Sequence, residues 1–150
     1  MSSDLPSPDD FSFHREIEVR FRDLDAMGHV NNAAYLTYFE IGRTGYMVAL
    51  GHCQKQNPTP AELFPFVVLD VTCRYLAPVG LEQRLTLHLR TSRIGNKSFE
   101  FEYLLTDADT QVAAAWGRST QVYYDYATSA TQPVPQHLRA CIEKLEGHPA

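Results

Sequence analysis

The stretch FRDLDAMGHVNNAAY, residues 21–35, decides how the rest of the chain is read. Two aspartates, a glycine, a histidine and two asparagines crowd between an alternating run and a longer periodic one. Upstream, REIEVRFR at 15–22 sets Ile17, Val19 and Phe21 against Glu18, Arg20 and Arg22, the alternation of a half-buried strand. Downstream, residues 31–50 carry helical periodicity, so the stretch is a strand-to-helix junction. Its polar residues are either a turn with a good cap or a site where chemistry happens.

The helix has a wide apolar face. Ala34, Tyr38, Ile41, Gly45 and Val48 form one row, and Tyr35, Phe39, Gly42, Tyr46 and Ala49 its neighbour. Thr37, Glu40 and Thr44 form the polar row opposite. Gly42 and Gly45 each cost a helix about 1 kcal/mol relative to Ala, which close approach to a packed neighbour would offset. Gly51 is suitably placed to stop the helix.

Beyond the proline-bearing segment at 52–65 come four strand patterns: FVVLDVTCRYL, QRLTLHLR, SFEFEYLL and QVAAAWGRSTQVYYDY. The last is interrupted by Gly117, which marks a bulge or a close contact. Turn signals at Pro78–Gly80, Gly95–Asn96 and Asp107–Thr110 make the links short and the strands an antiparallel meander. One apolar helix facing a meander buries both only if the sheet curls around it. The expectation is an α+β fold, one long central helix wrapped by a curled antiparallel sheet of five or six strands. Residues 1–12 read as a disordered lead-in, 13–130 as the domain, and 131–150 as a C-terminal extension holding a short helix.

The bulk properties remove several function classes. The chain has 150 residues, 44% apolar and 21% charged, with a net charge of -5 and no dense basic run, which argues against nucleic acid as a partner. Cys53, Cys73 and Cys141 are dispersed and odd in number, and there is no CxxC or HExxH spacing, so neither a disulfide framework nor a metal site is indicated. No apolar run approaches the ~20 residues of a membrane span, and the polar start is unlike a signal peptide. A cytoplasmic protein is the expectation.

At the junction itself, Gly28 permits a tight turn that lets a ligand approach the backbone. The first amides of the helix, near Val30 to Ala33, lack intrahelical acceptors and carry partial positive charge. They would stabilise a developing oxyanion, while a carboxylate beside them could serve as base on water or as nucleophile on a carbonyl. Those are the parts of an acyl-transfer hydrolase. Strand parity does not separate Asp23 from Asp25, because both share the parity of Phe21.

DLDAMGHVNNAAYLTYFEIGR resembles the hotdog-fold acyl-CoA thioesterases of the 4-hydroxybenzoyl-CoA thioesterase family. The pattern D-x-D-x-x-G, a helix start N-x-x-Y, and a helix carrying E-x-x-R falls on Asp23, Asp25, Gly28, Asn32, Tyr35, Glu40 and Arg43. GHVNN at 28–32 is shared with acyl-ACP thioesterases of the same fold. The likeness continues through NKSFEFEYLL and GRSTQVYYDYAT, covering about residues 14–130. It implies an acyl-CoA thioesterase with Asp25 as the catalytic carboxylate and the amide near Asn32 polarising the thioester carbonyl. Gly28, His29, Asn31, Asn32 and Tyr35 would contribute to oxyanion and substrate binding, and Lys97 would meet the coenzyme A phosphates. No metal and no organic cofactor is implied, since coenzyme A is part of the substrate. A homodimer or homotetramer with sites at the subunit interface is implied too.

Blander roles stand beside these. Asp25 could be a turn or capping residue, and Asp23 is better read as a structural partner of a nearby arginine. His29 reads as a hydrogen-bonding residue near the helix start, Tyr35 and Tyr38 as packing, and Lys97 as a solvated lysine. Glu40 and Arg43 read as an i,i+3 ion pair. Rival functions are an acyl-ACP thioesterase, an acyl-CoA-binding protein without hydrolysis, and a hydratase or dehydratase of the same fold.

Overall fold

The computed structural model describes residues 4–148. The apolar faces expected from the periodicity meet in one core. Helix α1 (Asn32–Leu50) lies in the concave side of a six-stranded antiparallel sheet. The strands are β1 (Phe13–Glu18), β2 (Phe66–Tyr75), β3 (Arg84–Ile94), β4 (Ser98–Asp107), β5 (Ala113–Asp125) and the two-residue β6 (Ala130–Thr131). They pair in the order β1-β3-β4-β5-β2, with β6 beside β5. Short helix α2 (Pro60–Leu63) precedes β2, and α3 (Gln136–Glu146) closes the chain.

Alternation fills the concave side: Leu85, Leu87 and Leu89 of β3 and Phe99, Phe101, Tyr103 and Leu105 of β4 are buried. Tyr35, Phe39, Tyr46 and Met47 of α1 meet them, and each such side chain contributes about 1.5–3 kcal/mol on burial. Phe39 stacks on Tyr103 at 4.3 Å between ring centroids. Gly42 does allow close approach, because a Cβ there would overlap the side chain of Leu87. Gly51 ends α1 in the left-handed region at φ 66°.

Gly117 is a close-contact point and not a bulge: a Cβ there would collide with the Thr72 carbonyl oxygen and the Phe39 ring. The register shifts lie at Val68/Asp70, Thr91/Arg93 and Leu105/Thr106 instead. The first strand is shorter than its alternation suggested. Residues Phe21–Asp23 form a 3-10 turn, and Phe21 is 82% exposed where a strand would have buried it.

Both chain ends pack on the domain, and the short helix expected in the C-terminal extension is α3. Pro8–Asp10 forms a 3-10 turn capped by Ser7, so the lead-in is ordered where it is described, and residues 1–3 lie outside the described residues. The Phe11 ring then sits under Arg90, and Ser12 donates to Glu146. Helix α3 is part of the core and not an appendage, with Leu138 and Ile142 buried. Tyr46 of α1 donates to Glu146 near its end at 2.5 Å.

Candidate active site

The site is built around Asp23. Its Oδ2 accepts from the Arg20 main-chain N–H at 2.9 Å, which closes the 3-10 turn, and from the Tyr38 hydroxyl at 2.9 Å. Its Oδ1 accepts from the Arg20 guanidinium at 2.9 Å. Burial pushes the carboxyl pKa up, but the hydrogen bonds from Arg20 and Tyr38 outweigh burial and hold it below the usual range. The Asp23 carbonyl accepts from the Asn31 N–H at 2.7 Å, so one residue anchors both ends of the loop. The arginine partner expected for Asp23 is Arg20.

Asp25 lies two residues on, exposed, on the other side of the turn. The loop folds as a small hairpin: Asp25 N–H donates to the His29 carbonyl at 2.7 Å, and Gly28 N–H to the Asp25 carbonyl at 3.1 Å. Gly28 has φ +79° with nothing within 4 Å of where a Cβ would stand, so conformation and not crowding selects glycine. Asp25 Oδ1 accepts from Met27 N–H at 2.9 Å and His29 N–H at 3.2 Å. One carboxylate oxygen is thereby held by the loop, and Oδ2 has no partner among the described residues.

The helix start shows a matching selection among its amides. Asn31 is the cap, accepting from Ala33 N–H at 2.9 Å through Oδ1, while Ala34 N–H reaches the Asn31 carbonyl at 2.9 Å. The Asn32 N–H donates to nothing among the described residues. A cavity of about 280 Å³ is lined by Asp25, His29, Asn32 and Tyr35 on one side and by residues 75–78 on the other.

Of the residues singled out from sequence, those four line that cavity, whereas Gly28 shapes the loop and Asn31 caps the helix. The His29 ring makes no hydrogen bond among the described residues; its main chain does the bonding, including a bridge to Gly80. Lys97 is exposed in the β3–β4 turn, beside Tyr123 and the Phe66 end of β2. The cavity is at the Tyr75 end of that ten-residue strand, roughly 30 Å away at 3.3 Å per residue, so Lys97 does not converge with Asp25 in one chain. Glu40 and Arg43 form no ion pair, because Arg43 turns inward to the Tyr103 hydroxyl at 3.2 Å.

Nothing in the sequence marks residues 75–78 as the far wall of a site. Tyr75 ends β2 and donates its hydroxyl to the Asn32 carbonyl at 3.0 Å, with its ring edge-on to Tyr35 at 5.0 Å. Nothing local marks it, since its position depends on the β2–β5 register. The proline-bearing 52–65 segment lines a different and larger cavity of about 820 Å³ between α2, α3 and the end of β5. That cavity is bigger, and the uncapped start of α3 borders it, but none of the junction residues singled out from sequence lines it. Cys73, two residues before Tyr75, is no nucleophile at neutral pH, because burial pushes its thiol up to about 11. Among the described residues no group of three or more His, Cys, Asp or Glu could hold a metal ion, and no helix is long and apolar enough to cross a membrane.

Comparison with known proteins matches the chain to a family. Residues 19–142 match the thioesterase-like superfamily. Bacillus subtilis YsmA is 33% identical over 63% of this chain and 60% of its own length. The chloroplastic acyl-acyl carrier protein thioesterase ATL2 of Arabidopsis thaliana is 31% identical over 85% of this chain and 67% of its own. A Thermus thermophilus thioesterase, crystallised with coenzyme A and zinc, superposes with a TM-score of 0.80 at 34% identity, covering 94% of this chain and 98% of that one. The chain belongs to the thioesterase-like superfamily, with the hotdog fold and the enzyme class, thioester hydrolase, of that family.

Proposed function

We propose that the protein hydrolyses acyl-CoA thioesters to the free acid and coenzyme A, with Asp25 as base or nucleophile and the Asn32 N–H as oxyanion donor. One observation carries this reading: a carboxylate with one oxygen held by two amides and the other free lines the same cavity as an unbonded helix-start amide. In the base route, Asp25 Oδ2 takes a proton from water as the water oxygen attacks the thioester carbon; the tetrahedral oxyanion then collapses, the C–S bond breaks, and the departing thiolate of coenzyme A takes up that proton. In the nucleophile route, Oδ2 attacks that carbon, the thiolate of coenzyme A leaves, and water hydrolyses the resulting anhydride. Both pass through a tetrahedral oxyanion, which the Asn32 N–H and the helix dipole stabilise.

The test is thiol release from a panel of acyl-CoAs by wild type and Asp25→Asn. The expected loss in kcat is at least about a hundredfold, the scale of a positioned acid–base group. Full activity in the variant refutes the assignment and turns attention to Glu40 or His29. Similarity to the Arabidopsis enzyme supports a second reading with an acyl carrier protein as the leaving group, so acyl-ACP belongs in the panel. Hydrolysis of neither carrier form leaves an acyl-CoA-binding protein.

Among the described residues the edge of β2 has no neighbour beyond β5, and its open N–H and C=O groups suit antiparallel pairing with a second copy. Such pairing would bring Lys97 of the partner subunit toward the Tyr75 end of this β2, where coenzyme A would leave the cavity. Sedimentation equilibrium should give a dimer or tetramer mass. A monomer with full activity overturns this part.

A further inference from the structure

Tyr75 is placed to do more than fill the wall. Its hydroxyl holds the carbonyl of Asn32, the same residue whose N–H is unbonded, and its ring meets Tyr35 at an interplanar angle of 78°. The two rings close the gap between the start of α1 and the end of β2. Behind them Phe39 is fully buried, stacked on Tyr103, and pressed so close to Gly117 that not even a methyl group fits between. The cavity in front is about 280 Å³, just below the usual ~300–1,000 Å³ of small-molecule sites. The two tyrosines differ in freedom, for Tyr35 is 3% exposed and Tyr75 is 45% exposed. Tyr75 is the less buried of the pair, and displacing its ring breaks its bond to Asn32.

We propose that Tyr75 is the specificity-determining residue of this site, closing it against extended alkyl chains and selecting compact, planar aryl acyl groups. The inference rests on the hydrolase reading above and names its substrate class. A planar acyl group packs against the perpendicular ring pair without moving it, gaining contacts of the edge or offset kind. A long chain has to displace the Tyr75 ring, which frees the helix start that supplies the oxyanion amide. Tyr75 thus acts on the reaction through Asn32 and is a positioning residue as well as a wall.

The experiment compares kcat/KM for benzoyl-CoA and dodecanoyl-CoA in wild type, Tyr75→Ala, Tyr75→Leu and Tyr75→Phe. Wild type should prefer benzoyl-CoA. Tyr75→Ala should move the ratio at least about tenfold toward dodecanoyl-CoA, given roughly two- to tenfold for a lost aromatic contact and about fourfold per newly buried methylene. Tyr75→Leu keeps bulk without the ring, so benzoyl activity should fall while dodecanoyl-CoA stays excluded; it serves if the alanine variant does not fold. Tyr75→Phe should keep the selectivity and lose about fivefold in kcat, one hydrogen bond's worth. A wild type that prefers dodecanoyl-CoA, or a ratio unchanged in the alanine and leucine variants, overturns the proposal. Binding of the non-hydrolysable thioethers S-benzyl-CoA and S-dodecyl-CoA, followed by calorimetry, separates the two claims. The same inversion without turnover sustains the role of Tyr75 and sinks hydrolysis, whereas binding of neither thioether to wild type overturns both.

Discussion

Removing Asp23 should loosen the junction by an amount that its hydrogen bonds set. Asp23→Ala strands the Tyr38 hydroxyl, which is 1% exposed and has Asp23 as its partner. A buried hydroxyl without a partner costs about 1–3 kcal/mol. The Arg20 main-chain N–H also loses its acceptor, but Arg20 is exposed and water can replace it in part. The ion pair itself adds only about 0–1 kcal/mol, since the Arg20 side chain is 46% exposed. The expected destabilisation is about 3 kcal/mol, a large part of the ~5–15 kcal/mol of a typical domain. At this chain length it lowers Tm by about 6–12 °C.

Tyr38→Phe alone should cost about 1 kcal/mol, because Asp23 keeps its bonds from Arg20. In the double variant no stranded hydroxyl remains, so the loss should fall short of the two singles added, with a coupling of about 1–2 kcal/mol. Urea unfolding of the four proteins at one fixed concentration measures the cycle. Losses that add within about 0.5 kcal/mol, the limit for independent sites, would refute the claim that the two groups depend on each other. A pH series adds a check of sign. The folded carboxyl titrates below its usual value of 3.8, so its contribution is present above about pH 4 and lost as pH falls below that. The advantage of wild type over Asp23→Asn should shrink over the same range.

Two further outcomes follow from packing and from a turn. Gly117→Ala should destabilise by about 3 kcal/mol, because the new methyl meets a backbone oxygen of β2 and the buried Phe39 ring; an unchanged urea midpoint would contradict that. Asp107 accepts from Thr110 N–H, Gln83 and Asp109 N–H, bonds that lower its carboxyl to about 2. Its contribution is present above the ordinary value of 3.8 and lost as pH falls toward 2, so Asp107→Asn should flatten the acid-unfolding limb in that window, followed by near-ultraviolet circular dichroism. Superimposable acid limbs for the two proteins would count against the turn's role.

What was legible in the sequence and what was not divide along the range of the forces involved. Helix α1 starts and stops within a residue of its periodic run, and β3 and β4 begin within a residue of theirs, because alternation, caps and turn residues are local. The failure at Phe21 is also local, but of another kind. The apolar period Ile17, Val19, Phe21 argued for a longer strand, yet the Asp23 carboxylate bonds the Arg20 main chain and offers the backbone a turn in place of a ladder. That competition gives different surroundings to two aspartates that parity treats alike. The 3-10 turn buries Asp23 at 5% exposure and leaves Asp25 outside, so two aspartates of one parity end in opposite environments. Tyr75 belongs to a third kind. It meets Asn32 from 43 positions away, and that meeting depends on β2 pairing with β5 in one register, with Tyr75 opposite Ala115. A slip of one residue would turn the tyrosine to the convex face and Arg74 toward the cavity. The wall that faces the helix amide is therefore written in the whole sheet, while the amide and the carboxylate are written in eight consecutive residues, Asp25 to Asn32.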